Sequence, residues 1–352
     1  MSNSNGRSRV TIEDVARHAG VSTATVSRVL NKTNNVTPTT AKRVQQAVDE
    51  LGYVLHTAAR VLSNNKTGNI GMILPATSTP FLASLLEGVN ECTIASGYNL
   101  LIYATTNQAS IQGGVPLPLN EDNTDGLLIF ANSVDDRTIL HLHQRQFPMV
   151  LLYRTAPGNR TIPCVLLENK QGAYALIEHL IVNCGHRRIA FMAGPAENLD
   201  AYWREQGYRQ ALADHNIPFD PALVGEGAFH DWTAKQQIKQ WVGQELEIDA
   251  IFAGDDTAAM AAIMALQEAG KRVPEDVAVV GFNNDTMASY INPPLTTVHA
   301  PTGEVARTAA RQLFHLIRGE PTESKILFET ELVVRRSCGC DLAAKPAPEA
   351  NL

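Results

Sequence analysis

The residues of this chain best suited to recognising another molecule lie close together, at Ser22, Thr23, Ala24, Thr25, Ser27 and Arg28. A hydroxyl can donate to or accept from a base edge, and an alanine methyl can meet the thymine methyl. A guanidinium matches the O6/N7 edge of guanine with two parallel hydrogen bonds. Short outward side chains let a helix backbone approach a surface closely, while one long cation reaches deeper. Such a face suits the major groove of DNA.

A helix must carry that face. The stretch VTIEDVARHAGVSTATVSRVLN, residues 10–31, reads as two short helices joined by a tight turn. Thr11 caps the first, and Asp14, three residues on, completes a capping-box pattern. Val15, Ala16 and Ala19 form an inward stripe. Gly20 supplies a sharp turn at little steric cost. Ser22 is a second N-cap, and Val26, Val29 and Leu30 turn back toward the first helix. Thr37-Pro38 then starts a third helix. Its apolar side is Ala41, Val44, Ala47, Val48 and Leu51, and Gly52 ends it. The expectation is an all-α three-helix headpiece with a helix-turn-helix over residues 9–54. The periodicity of the first two helices alone would also admit, as the lesser reading, a helical hairpin inside a larger core.

Charge separates these readings. Residues 1–66 contain nine Lys/Arg against four acids, a net of +5, which leaves −12 for the rest of a chain whose total is −7. A basic head on an acidic body fits a DNA-binding module attached to a sensor. The chain has 352 residues, 44% of them hydrophobic, which suits a small module plus a region of two lobes. No apolar run reaches membrane-spanning length, and the polar start MSNSNGRSR lacks the apolar core of a signal peptide. A cytoplasmic protein is therefore expected. Five cysteines, an odd number without metal-ligand spacing, agree with a reducing compartment. Cys338-Gly339-Cys340 is too close-spaced for a simple zinc site and reads as a feature of the tail, with a small reserve for redox or metal chemistry.

From Asn69 onward, apolar strands alternate with amphipathic helices. Ile70–Leu74, Tyr98–Tyr103, Gly126–Phe130, Met149–Leu152, Arg188–Met192, Ala250–Ala253 and Val277–Gly281 are continuous apolar runs of the kind buried parallel strands show. The expected architecture is α/β, with doubly wound parallel sheets in two lobes. Asn107–Thr124 departs from it, because Gly113-Gly114, Pro116 and Pro118 make a continuous helix improbable. A loop or broken helix is expected there.

The chain resembles the lactose-repressor/galactose-repressor family of bacterial transcription regulators. The headpiece resemblance rests on Thr11–Ala16, Ala19–Ser22, Thr25–Asn31 and Glu50–Tyr53. The body resembles the family at Gly185–Ala190, Ala193-Gly194-Pro195, Arg204 with Gly207-Tyr208, Val273–Val277, Pro293–Val298 and Arg335-Arg336-Ser337. The resemblance implies a periplasmic-binding-protein-like sensor with a ligand cleft between its lobes. It implies a hinge and linker over 55–68, one lobe from 69–167 and 298–328, and a second from 168–297 and 329–341, followed by a tail, 342–352. The chain would cross between the lobes near 167, 297 and 328.

It further implies a homodimer, with a tetramer left open, on double-stranded DNA at a pseudo-palindromic operator. Expected DNA contacts are Thr11, Ser22, Thr23, Ala24, Thr25, Ser27, Arg28 and Asn31, with Ala59 and Leu62 in a hinge helix. Leu62 would be the wedge between base steps. Expected effector contacts are Phe81, Phe130, Tyr153, Arg154, Arg204, Phe229, Asp255 and Asn283. Asp255 and Asn283 fall at the ends of predicted strands, where α/β folds bind ligands, though either could instead cap the next helix.

Tyr153-Arg154 stands where relatives often place an aspartate, Asn283-Asn284 lacks a common acid, and Ala300 replaces a common glutamine. Fewer carboxylates and an added arginine suit an effector that is less rich in hydroxyls, or anionic, so within the expected carbohydrate-type class a sugar acid or sugar phosphate fits as well as a neutral sugar. A purine or nucleoside is the alternative. A dinucleotide-using enzyme lacks support, since Gly-x-Gly-x-x-Gly, the lysine phosphate loop, Gly-x-Ser-x-Gly and His-Glu-x-x-His are absent, and no cofactor is expected.

Overall fold

The computed structural model describes residues 10–30, 36–53, 66–75, 80–105 and 117–340. The chain divides into two compact units between Thr67 and Gly68. Asn31, the hinge with Ala59 and Leu62, most of the Gly/Pro-rich segment and the tail 342–352 lie outside the described residues. Residues 117–123, at the end of that segment, form bends and turns rather than a helix.

The first unit contains α1 (Ile12–Ala19), α2 (Thr23–Leu30) and α3 (Pro38–Leu51). Thr11 and Asp14 form the reciprocal capping box: the Asp14 N–H donates to Thr11 Oγ1 at 3.3 Å and the Thr11 N–H to Asp14 Oδ2 at 3.0 Å. Gly20 closes α1 at φ 62° and Gly52 closes α3 at φ 60°. Thr37 caps α3 and Pro38 occupies its first turn. Val15, Ala16, Ala19, Val26, Val44, Ala47 and Tyr53 pack into one small core. His18 pairs with Glu50 at 2.7 Å, tying α1 to α3 on the surface.

The second unit is built on two parallel sheets. Six strands, β1 (Asn69–Pro75), β2 (Asn99–Thr105), β3 (Leu127–Phe130), β4 (Met149–Leu152), β5 (Cys164–Leu167) and β11 (Lys325–Phe328), run in the order β11-β5-β4-β3-β1-β2. Leu128 and Phe130 face one core while Leu127 and Ile129 face another, so the strand is buried on both sides. The helices serving this sheet are α4 (Pro80–Ala95), α5 (Asp136–Gln144) and α10 (Thr302–Arg318). The second sheet, in the order β7-β6-β8-β9, contains β6 (Ile189–Ala193), β7 (Val224–Glu226), β8 (Ala250–Ala253) and β9 (Ala278–Val280). Its helices are α6 (Asn169–Val182), α7 (Leu199–Asp214), α8 (Asp231–Gly243) and α9 (Asp256–Glu268).

Three segments join the two layers. β5 runs through Glu168 into α6, β10 (Thr297–His299) leads to α10, and β11 runs through Thr330 into β12 (Glu331–Val333). They are laced together: β10 and β12 pair antiparallel, and Thr330 Oγ1 donates to the Glu168 carbonyl at 2.9 Å.

The cysteine reading needs correction. Cys340 is bonded to Cys184, 156 residues earlier, so these two are not free thiols. Cys338 is buried, and His179 lies beside the pair. Spacing within Cys338-Gly339-Cys340 was the wrong criterion. The fold supplies the remaining members of the cluster from the end of α6 and the loop after it.

Candidate DNA interface and ligand cleft

On α2, Val26 is buried while Ser22, Thr23, Ala24 and Arg28 are exposed, and Thr11 is exposed at the start of α1. Ser22 organises the start of α2. Its Oγ accepts the Thr25 N–H at 3.2 Å and lies 2.9 Å from Thr25 Oγ1. The presented face is thus two short side chains, Thr23 and Ala24, with one arginine a helical turn further on. Nothing on it serves the small core.

In the second unit, the expected effector residues separate into two groups of three, one helix cap and one outlier. Phe81, at the start of α4, Phe130, at the end of β3, and Tyr153, just past β4, form an aromatic cluster. Ring centroids lie 5.2–6.0 Å apart, with Phe81 edge-on to both neighbours. Tyr153 is fully buried, which pushes its phenol pKa up, and its hydroxyl lies near Thr302, Asp200 and Arg204.

Arg204, Phe229 and Asn283 form the second group. Arg204 Nε donates to Asn169 Oδ1 at 2.8 Å, Nη1 to the Gly254 carbonyl at 2.6 Å and Nη2 to Asn283 Oδ1 at 3.4 Å. Its guanidinium carbon lies 3.8 Å from the Phe282 ring centroid and 5.5 Å from that of Phe229. Gly194 makes room for Phe229, since a Cβ there would fall 2.3 Å from the ring's Cζ. Burial lowers the Arg204 pKa, and the nearby Asp200, Asp255 and Asp256 oppose that shift. Asp200 accepts from Asn169 Nδ2 at 2.8 Å.

Burial governs these carboxylates. It pushes Asp200 and Asp255 each up to about 6, despite the Arg204 charge. Asp285 is raised to about 7, with Asp255 adding repulsion. Asp256 is raised well above its ordinary range, although it accepts from Thr297 Oγ1 at 2.6 Å and from the Asp285 N–H at 2.7 Å. Ser133 Oγ and Asp285 Oδ2 are buried polar atoms without a hydrogen-bond partner. Such atoms need water or a ligand.

Asp255 caps α9 by accepting the Ala258 N–H at 2.8 Å, the alternative role foreseen for it. The outlier is Arg154. It donates from Nη1 to the carbonyls of Ala131 at 3.1 Å and Val134 at 2.7 Å, and its Nη2 pairs with Asp136. Its charge holds the loop after β3, which removes the motive for an anionic effector. Sequence reading missed Asn169, Asp200, Asp256, Phe282 and Asp285. Their sole local signal was position: most lie at strand ends or helix starts.

These candidate residues gather beyond the carboxyl ends of β3, β4, β6, β7, β8 and β9, where open α/β sheets bind ligands. Six of the ten described non-glycine residues with positive φ also lie there: Ala131, Tyr153, Ala228, Phe229, Asn283 and Asn284. Strained backbone of this kind gathers at binding sites, at a cost of about 1–3 kcal/mol each. Asn132 Nδ2 donates to the Glu197 carbonyl, linking the loop after β3 to the loop before α7.

Comparison with known proteins resolves the ancestry. The model of "Bacterial regulatory proteins, lacI family" matches residues 11–55, and that of the "Periplasmic binding protein-like domain" matches 177–338. The HTH-type transcriptional repressor PurR of Aliivibrio fischeri is 35% identical over 331 residues, covering 93% of this chain and 98% of PurR. The chain belongs to the LacI family. As a LacI-family protein it is a DNA-binding transcriptional regulator and not an enzyme, in agreement with the reading of its headpiece.

A solved complex of the transcriptional regulator CelR with cellobiose matches this LacI-family chain at TM-score 0.67 and 32% identity, covering 94% of this chain and all of that one. The lac repressor dimer bound to operator and the anti-inducer ONPF matches at TM-score 0.81 and 26% identity, covering 94% and 99%. Among the described residues, no helix is long and apolar enough to cross a membrane.

Proposed function

We propose that this chain is a dimeric cytoplasmic repressor that binds a pseudo-palindromic operator and senses a neutral carbohydrate in the cleft between its two sheets. Residues 69–167 with 298–328 form one lobe, and 168–297 with 329–341 the other. Thr23, Ala24 and Arg28 carry base recognition, joined by Thr11, Ser22, Thr25, Ser27 and Asn31, while Ala59 and Leu62 enter the minor groove. The observation that carries the effector reading is the pairing of an aromatic wall, Phe81-Phe130-Tyr153, with the buried polar group Arg204-Asn169-Asp200-Asn283. Sugar rings present apolar C–H faces to aromatic rings and hydroxyls to paired donors and acceptors.

Charge narrows the class further. Four carboxyls, Asp255 and Asp256 buried and Asp200 and Asp285 half-buried, surround one arginine, and the second arginine, Arg154, is held by its own lobe. Arg204, already bonded to Asn169, Gly254 and Asn283, leaves no uncommitted cation there among the described residues for an anionic sugar, whereas hydroxyl donors would satisfy Asp285 Oδ2. The cellobiose complex of CelR supports this reading. The relative PurR, together with the aromatic cluster, supports a purine as the second one.

Effector binding would bias the relative orientation of the lobes, and through the hinge the spacing of two headpieces. It can do so only by its differential affinity for the two states. Calorimetry with cellobiose, a hexose phosphate and a purine base tests the assignment. Cellobiose, or a neutral sugar like it, is expected to bind and to lose at least about tenfold in affinity, or 1.4 kcal/mol, in Arg204→Lys. Binding of the purine base alone, or sugar binding indifferent to that variant, overturns it.

A further inference from the structure

Away from the cleft, the end of α6 and the C-terminal segment bring four metal-ligating side chains together. His179, Cys184, Cys338 and Cys340 each offer one ligand atom, and these atoms all lie within 4.8 Å of one another. His179 Nε2 lies 3.5 Å from Cys184 Sγ and 3.4 Å from Cys340 Sγ. A tetrahedral zinc ion with Zn–S near 2.3 Å and Zn–N near 2.05 Å requires N–S edges of about 3.6 Å and S–S edges of about 3.8 Å. The histidine edges therefore already have the required length.

The imidazole is also aimed. His179 Nδ1 lies 3.1 Å from Asn183 Oδ1, an acceptor that fixes the proton on Nδ1 and turns the Nε2 lone pair toward the sulfurs. His186 Nε2 meets the Cys338 carbonyl at 2.9 Å, which holds the Cys338-Gly339-Cys340 turn against the lobe. Three sulfurs and one imidazole form the soft donor set that selects zinc over magnesium or calcium.

We propose that His179, Cys184, Cys338 and Cys340 form a Cys3His zinc site that is available when Cys184–Cys340 is reduced and closed when that disulfide forms. In the reductive step a small-molecule thiol breaks the Sγ–Sγ bond. It supplies two electrons and two protons, and leaves as its own disulfide. Zinc then binds three thiolates and the neutral imidazole, releasing the three thiol protons to solvent. The disulfide and the metal are thus alternative fastenings for one segment, residues 335–340. That segment also secures the second sheet, since Ser337 Oγ donates to the Val279 carbonyl at 2.5 Å and accepts the Thr296 N–H at 2.8 Å.

Cobalt(II) titration of the full chain tests this, after reduction with excess thiol and anaerobic removal of the reductant. The expected result is about one cobalt per chain with thiolate charge-transfer and tetrahedral d–d bands, displaced by zinc. The unreduced chain should lack them. Asn183→Ala should weaken binding by about 10- to 100-fold, and Cys340→Ser should remove the third thiolate band intensity. Cys92→Ser with Cys164→Ser, both outside the cluster, should leave the spectrum unchanged. Because Cys338 is fully buried, far-UV circular dichroism accompanies Cys338→Ser, and the Asn183 and Cys340 variants provide the same test without it. Absence of stoichiometric cobalt binding in the reduced chain refutes the site. Equal binding by the oxidised chain or by Cys340→Ser does so as well.

Discussion

Replacing Asp285 by asparagine should flatten the pH dependence of stability in the second unit. Asp285 Oδ2 is buried without a hydrogen-bond partner, and burial raises the carboxyl from 3.8 to about 7. A carboxyl whose folded pKa exceeds its unfolded value binds protons more tightly when folded. Stability then falls as pH rises from about 4 to about 7, and above that range the loss is complete. A tenfold change in proton affinity corresponds to about 1.4 kcal/mol, so the full penalty is on the order of 4 kcal/mol, of which about 3 falls between pH 5 and 8. Asp200 and Asp255, raised to about 6, add to the same slope mostly below pH 6. Because Asp255, Asp256 and Asp285 interact, their protons leave as a coupled set. The headpiece carboxyls Asp14 and Glu50 are lowered by hydrogen bonds from Thr11 and His18, so their contribution is lost only at pH below the ordinary carboxylate range.

Urea unfolding at pH 5, 6.5 and 8, followed by tryptophan fluorescence, isolates the effect. Trp203, Trp232 and Trp241 all lie in the second unit. The difference between wild type and Asp285→Asn removes the histidine contributions common to both. The variant should be the more stable at pH 8, and its advantage should shrink by about 3 kcal/mol on going to pH 5. Parallel pH profiles for the two proteins would show that Asp285 is not held protonated by burial, and the reasoning would fail.

Two further substitutions probe packing and recognition. A Cβ at Gly207 would lie 2.3 Å from the Lys170 carbonyl oxygen and 2.9 Å from Ala173 Cβ, so Gly207→Ala must push α7 away from α6. The expected cost is about 1–3 kcal/mol in chemical denaturation, and a neutral result would mean that this helix pair yields readily. Arg28→Ala should cost about 1–3 kcal/mol at one operator base pair and relax the preference there. An unchanged consensus in site selection with a random duplex library would assign Arg28 to phosphate contact instead.

The headpiece was legible because its instructions are local. Thr11 with Asp14, Thr37 with Pro38, and the two left-handed glycines each act within one helical turn. The strands were legible because burial on both sides demands continuous apolar residues. The cleft was less so. Arg154 looked like a ligand-binding charge, since nothing in its neighbourhood reveals that it turns back to carbonyls about 20 residues earlier. Arg204 depends on Asn169, Gly254 and Asn283, 35 to 79 residues away, a pairing that no periodicity encodes. The cysteine cluster failed for the same reason: short spacing within the tail drew attention from partners more than 150 residues upstream.

The lacing of the three connecting segments has a mechanical consequence. A single connection would let the two sheets swivel about any axis, and two would still permit a twist. Three, tied by the β10–β12 pair and the bond from Thr330 to Glu168, restrain the sheets toward opening and closing about one line. The aromatic rings of Phe81, Phe130 and Tyr153 and the guanidinium of Arg204, on α7, belong to none of the three crossings. Side chains that select the small molecule can therefore be exchanged over evolution while the stroke they drive stays the same.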